Sequence, residues 1–556
     1  MERIWLDHYP HGIPAQIDLD EFASVVDVLD AGVKRYRGQV AYVNFGHSLT
    51  YGEVDRLSRR FAAYLQQVLG FRKGERFALM LPNLLQYPVA LFGVLRAGLV
   101  AVNVNPLYSA RELAHQLNDS GARGILVVEN CAHTLQRALR EAPVEAVVTT
   151  RLGDLLPWPR RLLLNFAVKH VKRLVPRFSL PGAIPLPTAL ARGGQHQCPD
   201  VRLGHDDIAF LQYTGGTTGR PKGATLTHGN LVANLQQAAA WLKPWLEEGK
   251  ETVVTALPLY HVFALTANCL VFVKIGGRNV LITNPRDLPG LVRELKRQPF
   301  SVITGVNTLF NGLLNTPGFA DVDFSRLKVT LGGGMAVQRA VAQRWKQTTG
   351  KPIVEAYGLT ETAPAACINP LDLADYNGSV GLPLPSTDCK IVDDDDRELA
   401  PGERGELCIR GPQVMSGYWN NPGDPRAAFT TDGFVRTGDI AYMDDNGYFY
   451  IVDRKKDMIL VSGFNVYPNE VEDVVATCSG VVEAACVGMP DEKSGEAVKL
   501  VVVRRDDSVT AEDILAYCRD NLAAYKCPKQ IEFRTALPKS QVGKILRKDL
   551  KSGSPE

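Results

Sequence analysis

The 556-residue chain has almost no excess charge of either sign, since 62 basic and 60 acidic side chains leave a net +2. A surface that tracks a nucleic acid needs a cationic excess, so whole-surface nucleic-acid binding is excluded. The ten cysteines form no CxxC pair and no regular framework, and they read as buried thiols in a reducing compartment. The first ten residues, MERIWLDHYP, lack an apolar segment and carry Glu2 and Asp7. No secretory signal is read there, and a cytoplasmic location is expected. Uninterrupted apolar runs are also missing. Residues 77–95, 252–273 and 298–320 carry no charge, and their length alone would admit a membrane span. Pro82, Asn83 and Pro88 break the first, and Pro258, His261 and Asn268 break the second, so a buried α/β core is expected.

What is present is a globular composition, 45% hydrophobic and 22% charged, and a length that suggests three to four folding units at about 150 residues each. Helical periodicity alternates with short apolar strands from about Glu21 to Asn130, and again from Asp206 to about Thr360. Each stretch reads as a doubly wound α/β unit with a parallel sheet. Residues 380–455 change to short alternating strands with turns, the texture of a small antiparallel unit. The expected fold class is therefore α/β. Two doubly wound subdomains and the small β unit make up the larger N-terminal part, and the last hundred residues carry strand and helix patterns of their own, suited to a small α+β domain. The acidic run from Asp393 to Asp396 has no ligand spacing and reads as an exposed turn.

One segment breaks the charge balance. Residues 155–199 contain no acid, and Arg160, Arg161, Lys169, Lys172, Arg173 and Arg177 crowd one part of it. On a helix, Leu163, Leu164, Ala167, Val168, Val171, Leu174 and Val175 share a side opposite the cations, until Pro176 stops the run. Such a helix fits an anionic membrane surface, or equally a surface helix packed on the core.

The strongest chemical signal is YTGGTTGRPKG, residues 213–223, directly after the apolar strand IAFLQY. Glycines there free backbone N–H groups to wrap an oxyanion, while Thr214, Thr217, Thr218 and Lys222 add donors and charge. It is not the G-x-x-x-x-G-K-[ST] loop, because the lysine precedes its glycine. The run resembles the phosphate loop of the adenylate-forming superfamily of acyl-CoA synthetases, peptide-synthetase adenylation domains and luciferases. Five more motifs follow in that family's order: PLYHVFAL (258–265), YGLTE (357–361), TGD (437–439), DRKKDMILVSG (453–463) and PKSQVGKILRK (538–548). The block from Asp432 to Lys456 resembles the fatty acyl-CoA synthetase signature, and LITNPRDLPGLV, GLPLPST and DMILVSGFNVYPNEVEDVV are similar to bacterial long-chain fatty acyl-CoA ligases.

That resemblance implies a two-step ligase. Fatty acid and MgATP give acyl-AMP and pyrophosphate, and the thiol of coenzyme A then displaces AMP, feeding fatty-acid degradation or lipid synthesis. It further implies that Thr214, Gly215, Gly216, Thr217, Thr218, Gly219 and Lys222 hold phosphate. Gly333, Glu355, Ala356, Tyr357 and Gly358 would line the adenine pocket, with Thr360 at the α-phosphate. Thr217 and Glu361 would hold Mg²⁺, a hard cation suited to carboxylate oxygen. Asp439 would accept the ribose hydroxyls, with Arg454 beside it. Lys544 would enter from the C-terminal domain for the first step, where a fixed cation supplies about 3 kcal/mol by analogy with an oxyanion donor. Lys456 falls at the family's hinge, which implies a large N-terminal domain, 1–455, and a small mobile C-terminal domain, 456–556. After a rotation, Ser462, Gly463 and Phe464 would help form the pantetheine tunnel, Gly463 permitting close approach. His261 is placed at the acyl gate, and Leu265 stands where some relatives carry tryptophan. The expected partners are a long-chain fatty acid, ATP and CoA, with an anionic membrane through residues 160–177, a peripheral position on the inner membrane, and no nucleic acid. The sequence leaves open whether the chain pairs as a homodimer. A rival adenylate-former would hand its acyl group to a carrier protein, but no carrier domain is attached. A non-catalytic sensor would be expected to have lost Lys544 or Glu361.

Overall fold

The computed structural model describes residues 2–214, 221–420, 428–540 and 542–551. Two large sheets dominate. The first runs, edge to edge, through Ile184–Pro185, Ala146–Thr150, Gly124–Val128, Arg76–Met80, Val100–Asn103, Ile208–Thr214 and Lys222–Thr227. All pair in parallel except the last two, an antiparallel pair with Thr214 opposite Lys222. The second has Thr252–Thr255, Arg278–Leu281, Val302–Gly305, Val329–Gly333 and Ile353–Gly358 in its parallel centre. A single hydrophobic core joins the inward faces of both sheets, and a second core covers the outer face of the second sheet.

The two sheets do not divide where the sequence pattern does. Val40–Asn44, early in the chain, lies parallel beside Arg278–Leu281 in the second sheet, with Tyr42 opposite Asn279. Ile208–Thr214, after the expected boundary near Asp206, lies beside Val100–Asn103 in the first. Parallel pairing is non-local, so this exchange of strands leaves no mark on local periodicity. The uncharged stretch 77–95 forms the strand Arg76–Met80 and the helix Gln86–Arg96, every residue of which is buried. Arg96 ends that helix with its guanidinium 2.6 Å from Asp30 and 2.8 Å from Asp55, which is how a buried cation is tolerated. Helices start where the sequence supplies caps: Thr50 with Glu53, Ser109 with Glu112, and Thr510 with Asp513 each form a reciprocal capping box.

The small β unit is a four-stranded antiparallel sheet of Asp388–Val392, Gly405–Arg410, Val435–Met443 and Phe449–Arg454. Strict alternation of burial along Val435–Met443 shows one face packed and one open. Beyond it, Ile459–Val461, Phe464–Val466, Val481–Asp491, Gly495–Arg504 and Gln530–Phe533 form a mixed sheet with its own core, which the helices Pro468–Val475 and Ala511–Asn521 help to build. The acidic run is a turn in which Asp393 Oδ1 accepts the amides of Asp395 and Arg397. Among the described residues no group of three or more His, Cys, Asp or Glu is poised to hold a metal. All ten cysteines are free, eight of them buried, and no described helix is long and apolar enough to cross a membrane.

The basic segment departs from expectation. Its helix, Arg160–Phe166, continues as one π-helical turn, Ala167–Val171, and ends there rather than at Pro176. Arg173 takes a left-handed conformation, φ 51°, and Asn130 Nδ2 donates to the Leu174 carbonyl at 3.0 Å, which turns the chain away. The apolar face is split as well. Val168 is buried and Leu164 half-buried, but Trp158, Leu162, Leu163, Phe166, Val171 and Leu174 are exposed.

Gly193 ends a helix, Leu186–Gly193, that packs on the helix Tyr51–Ala63. A Cβ there would lie 1.9 Å from the Arg60 carbonyl oxygen and 2.9 Å from the Tyr64 amide nitrogen. Gly193→Ala is expected to cost about 1–3 kcal/mol through forced backbone displacement, read as a lower thermal midpoint by circular dichroism.

Candidate active site

A cavity of about 790 Å³ opens where Gly333, Gly334, Ala356, Tyr357 and Gly358 end two central strands of the second sheet. In parallel sheets the carboxyl ends of strands leave such a crevice. One part of its wall is apolar, with Ala238, Leu242, Ala267, Val302 and Leu331. Another is polar and charged, with Thr214, Lys222, Thr360, Glu361, Arg454 and Lys544. Side chains from both large sheets, the four-stranded sheet and the C-terminal unit therefore meet at one chamber.

Lys544 reaches the chamber from a loop seated on the second sheet's helical layer. Thr308 Oγ1 donates to the Gly543 carbonyl at 3.0 Å, and Asn311 Nδ2 donates to the Val482 carbonyl at 3.2 Å. Gly543 has φ +81°, and a Cβ there would lie 2.5 Å from Thr308 Oγ1, so glycine is required for this seat. Burial and the nearby Arg454 guanidinium lower the Lys544 ammonium to about 8, against the opposing pull of Asp439 and Glu361. His261 lies close enough to feel the same charge. Burial, and then Lys544, hold its ring down to about 3, so it is neutral near pH 7. Its Nδ1 accepts the Phe263 amide at 3.4 Å, capping the short helix Val262–Ala264.

Tyr357 Oη donates to Asp439 Oδ2 at 2.5 Å, and Arg454 Nε lies 3.0 Å from Asp439 Oδ1. That second approach is close enough for an ion pair but out of line for a hydrogen bond, so buried Oδ1 is an orphaned acceptor among the described residues. A buried acceptor without a donor is costly, and a sugar hydroxyl would satisfy it. Glu361 Oε1 accepts from Tyr418 Oη at 2.6 Å, and Lys222 Nζ stands 5.2 Å from the Tyr418 ring centroid. One carboxylate is too few for an all-protein metal cage, but it suits Mg²⁺, which binds through one or two carboxylates plus the phosphates of its nucleotide.

The chamber gathers Thr214, Lys222, His261, Gly333, Ala356, Tyr357, Gly358, Thr360, Glu361, Arg454 and Lys544. Asp439 sits just behind Tyr357. Gly215, Gly216, Thr217, Thr218 and Gly219 lie outside the described residues. Glu355 is not brought to the chamber, contrary to expectation. Its buried carboxylate accepts the Val337 amide at 2.9 Å, and burial pushes its pKa up to about 8, so it braces the loop beyond the strand Val329–Gly333. Leu265 is buried at the start of a π-helical turn, Leu265–Leu270, and the chamber is lined instead by Val262, Phe263, Thr266 and Ala267. Ser462, with φ 51°, Gly463 and Phe464 lie on the C-terminal unit away from the cavity lining, and the Phe464 ring stacks on Tyr525 at 4.9 Å. Lys456 is exposed between the strands Phe449–Arg454 and Ile459–Val461.

The AMP-binding enzyme model matches residues 29–419, and the AMP-binding enzyme C-terminal domain model matches residues 470–544. The chain belongs to the AMP-binding enzyme family. A long-chain-fatty-acid–CoA ligase of Salmonella typhimurium is 57% identical over 551 residues, 99% of this chain and 98% of that protein. A protein of the same name from Haemophilus influenzae is 50% identical over 553 residues, 99% and 98% of the two chains. The crystal structure of the anthranilate CoA ligase AuaEII with anthranoyl-AMP shares the fold, with a TM-score of 0.84 at 23% identity over 96% of this chain and 98% of that one. Within this AMP-binding enzyme, sequence motifs missed Tyr418, Thr308 and Asp119. Asp119 accepts from Tyr213 Oη at 2.5 Å on its side chain and from Trp419 Nε1 at 3.1 Å on its backbone. No local pattern separates Tyr418 in SGYW from an ordinary core aromatic.

Because Lys544 titrates near 8 in the free protein, it is charged below that pH and neutral above it. ATP affinity should therefore fall several-fold between pH 7 and pH 9 at fixed Mg²⁺. Lys544→Met should flatten that dependence, as measured by titration calorimetry. A wild-type profile identical to the variant's would reject the assignment.

Proposed function

We propose that this chain is an ATP-dependent, AMP-forming long-chain fatty acid–CoA ligase. The observation that carries the reading is one continuous chamber whose apolar wall runs directly into Glu361, Arg454 and Lys544. The full-length similarity to ligases of that name supports the same substrate class.

A carboxylate is a poor electrophile, so its oxygen must first become part of a leaving group. In the first half-reaction the fatty-acid carboxylate attacks the α-phosphorus of ATP, pyrophosphate leaves, and acyl-AMP forms. The alkyl chain lies along Ala238, Leu242, Ala267, Val302 and Leu331, whose burial against it supplies binding energy. Asp439 Oδ1 takes a ribose hydroxyl, and Tyr357 holds the carboxylate in place through Oδ2. Thr360 lies at the α-phosphate. Lys544 bridges two anions, carboxylate and phosphate, that otherwise repel each other, and its charge acts in a site shielded from water. Mg²⁺, carried by Glu361, by Thr217 and by the phosphates, would supply further charge neutralisation. His261, neutral and engaged as a helix cap, holds the acyl gate and transfers no proton.

In the second half-reaction the CoA thiol attacks the acyl carbonyl, and AMP leaves. Lys544 occupies the chamber in this pose, so thiol entry calls for the C-terminal unit to move. This reading divides the chain into residues 1–455 and 456–556, with Lys456 as the pivot and Ser462, Gly463 and Phe464 brought to the pantetheine channel after rotation. The exposure of Phe464 and the left-handed conformation of Ser462 are compatible with a loop that has a second seat.

The reading includes a peripheral position on the cytoplasmic face of the inner membrane. Six exposed apolar side chains between Trp158 and Leu174 stand among Arg160, Lys169, Lys172, Arg173 and Arg177 in a stretch without acids. Apolar insertion and cationic attraction to anionic lipid act together, and a lipid substrate gives the contact a use.

Three outcomes follow from this. Pyrophosphate release should require a fatty acid, proceed without CoA, and rise with chain length; release independent of fatty acid would point to another carboxylate. Lys544→Ala should slow acyl-AMP formation by ~10² to 10³-fold while thioester formation from supplied acyl-AMP largely survives. Equal loss in both would sink the role. Binding to anionic vesicles should weaken with salt and on neutralising Lys169, Lys172 and Arg173, each worth about 1 kcal/mol near a charged surface. Unchanged sedimentation of that variant with vesicles would reject the membrane contact.

A further inference from the structure

Glu361 is held by a segment that no motif reading singled out. Met415–Asn420 runs along the strand Lys222–Thr227 on one side and meets Glu361 on the other. Thr225 N donates to the Gly417 carbonyl at 2.9 Å and Trp419 N to the Gly223 carbonyl at 2.8 Å, while Ser416 N donates to the Thr225 carbonyl at 3.2 Å. Met415 N donates to the Glu361 carbonyl at 2.8 Å. The far end is pinned to the carbonyl of Asp119 by Trp419 Nε1 at 3.1 Å and Asn420 Nδ2 at 2.9 Å. The segment is thus a strut held from three sides, two through its backbone and the third through the side chains of Trp419 and Asn420.

Tyr418 projects from that strut into the cavity wall. Its Oη donates to Glu361 Oε1 at 2.6 Å, and its ring lies 5.2 Å from Lys222 Nζ. A hydrogen bond to a carboxylate is roughly twice as strong as a neutral one, and an ammonium near an aromatic face is attracted by the ring quadrupole. A single side chain therefore meets two of the charged groups of the chamber wall, Glu361 and Lys222.

We propose that Tyr418 is a positioning residue for the metal–nucleotide complex: its phenol fixes one Glu361 oxygen so that the other meets the cation, and its ring holds Lys222 toward the phosphates. The residue acts through Glu361 and Lys222 and takes no part in bond making. The inference rests on the reading above that the chamber binds MgATP.

The test separates the two groups through which Tyr418 acts. ATP binding to the full-length protein is measured by calorimetry with Mg²⁺ and again in EDTA. Tyr418→Phe keeps the ring and loses the hydroxyl, so MgATP affinity should fall about tenfold, the scale of a lost hydrogen bond to a charged group. Metal-free ATP affinity should stay unchanged, which a merely misfolded variant would not achieve. Tyr418→Leu should lower both. The Mg²⁺ concentration for half-maximal pyrophosphate release should rise about tenfold in Tyr418→Phe, with thioester formation from supplied acyl-AMP retained. In a Glu361→Gln background the same change should add less than about twofold, since both act on one carboxylate. Equal magnesium dependence in Tyr418→Phe and wild type, or full additivity with Glu361→Gln, would overturn the inference. A wild-type protein that binds ATP but releases no pyrophosphate with any fatty acid would reject the ligase reading while leaving the binding comparison intact. One that binds no ATP would overturn both.

Discussion

Seating the Lys544 ammonium inside a chamber built by another part of the chain is the constraint around which the structure is arranged. Burial and Arg454 oppose its charge, while Asp439 and Glu361 favour it, and the balance leaves it titrating near 8 rather than neutralised outright. That position is maintained by backbone contacts outside the chamber, Thr308 to Gly543 and Asn311 to Val482. Farther back, Arg547 lies 2.9 Å from Glu472 on the helix Pro468–Val475 and 3.3 Å from Asp453 on the last strand of the four-stranded sheet. Asp453 Oδ2 also accepts the Asn469 amide at 2.8 Å. These joints are polar, as contacts between separately folded units of one chain commonly are.

The rest of the molecule supplies rigidity. Two sheets share one core, so their strand ends converge on a fixed crevice, and helices buried on all sides, such as Gln86–Arg96, lock one sheet against the other. The apolar wall of the chamber is made of strand and helix residues, whereas the charged end draws Glu361, Lys222 and Lys544 from turns and strand ends held by struts such as Met415–Asn420.

Motifs with a chemical reason were legible. The residues around YGLTE, the lysine of GKILRK and the aspartate of TGD lie together, but only YGLTE follows a strand of a parallel sheet; Lys544 comes from a loop of the C-terminal unit and Asp439 from within a strand of the four-stranded sheet. What depended on pairing was not legible. Val40–Asn44 joins strands more than two hundred residues away, and the basic helix stops at Val171, just before Arg173 turns left-handed and Asn130 takes the Leu174 carbonyl. Glu355 lies inside a recognised motif yet turns to the Val337 amide, since a strand alternates its side chains between faces. Tyr418 escaped notice because its meaning lies in Glu361 and Lys222, neither of which is near it in sequence.

The sequence by itself determined the class of chemistry. Glycines and hydroxyls before Lys222, a carboxylate at Glu361 and a cation at Lys544 have few other uses in that order, and residue type alone fixes which groups can hold phosphate, metal and adenylate. Only the tertiary structure decided which side chains share the chamber, that Asp439 keeps an acceptor free, and that Lys544 stands inside it in this pose. Those outcomes depend on distances between segments hundreds of residues apart, set by strand register and by the burial of each charge, and neither quantity is local to the chain.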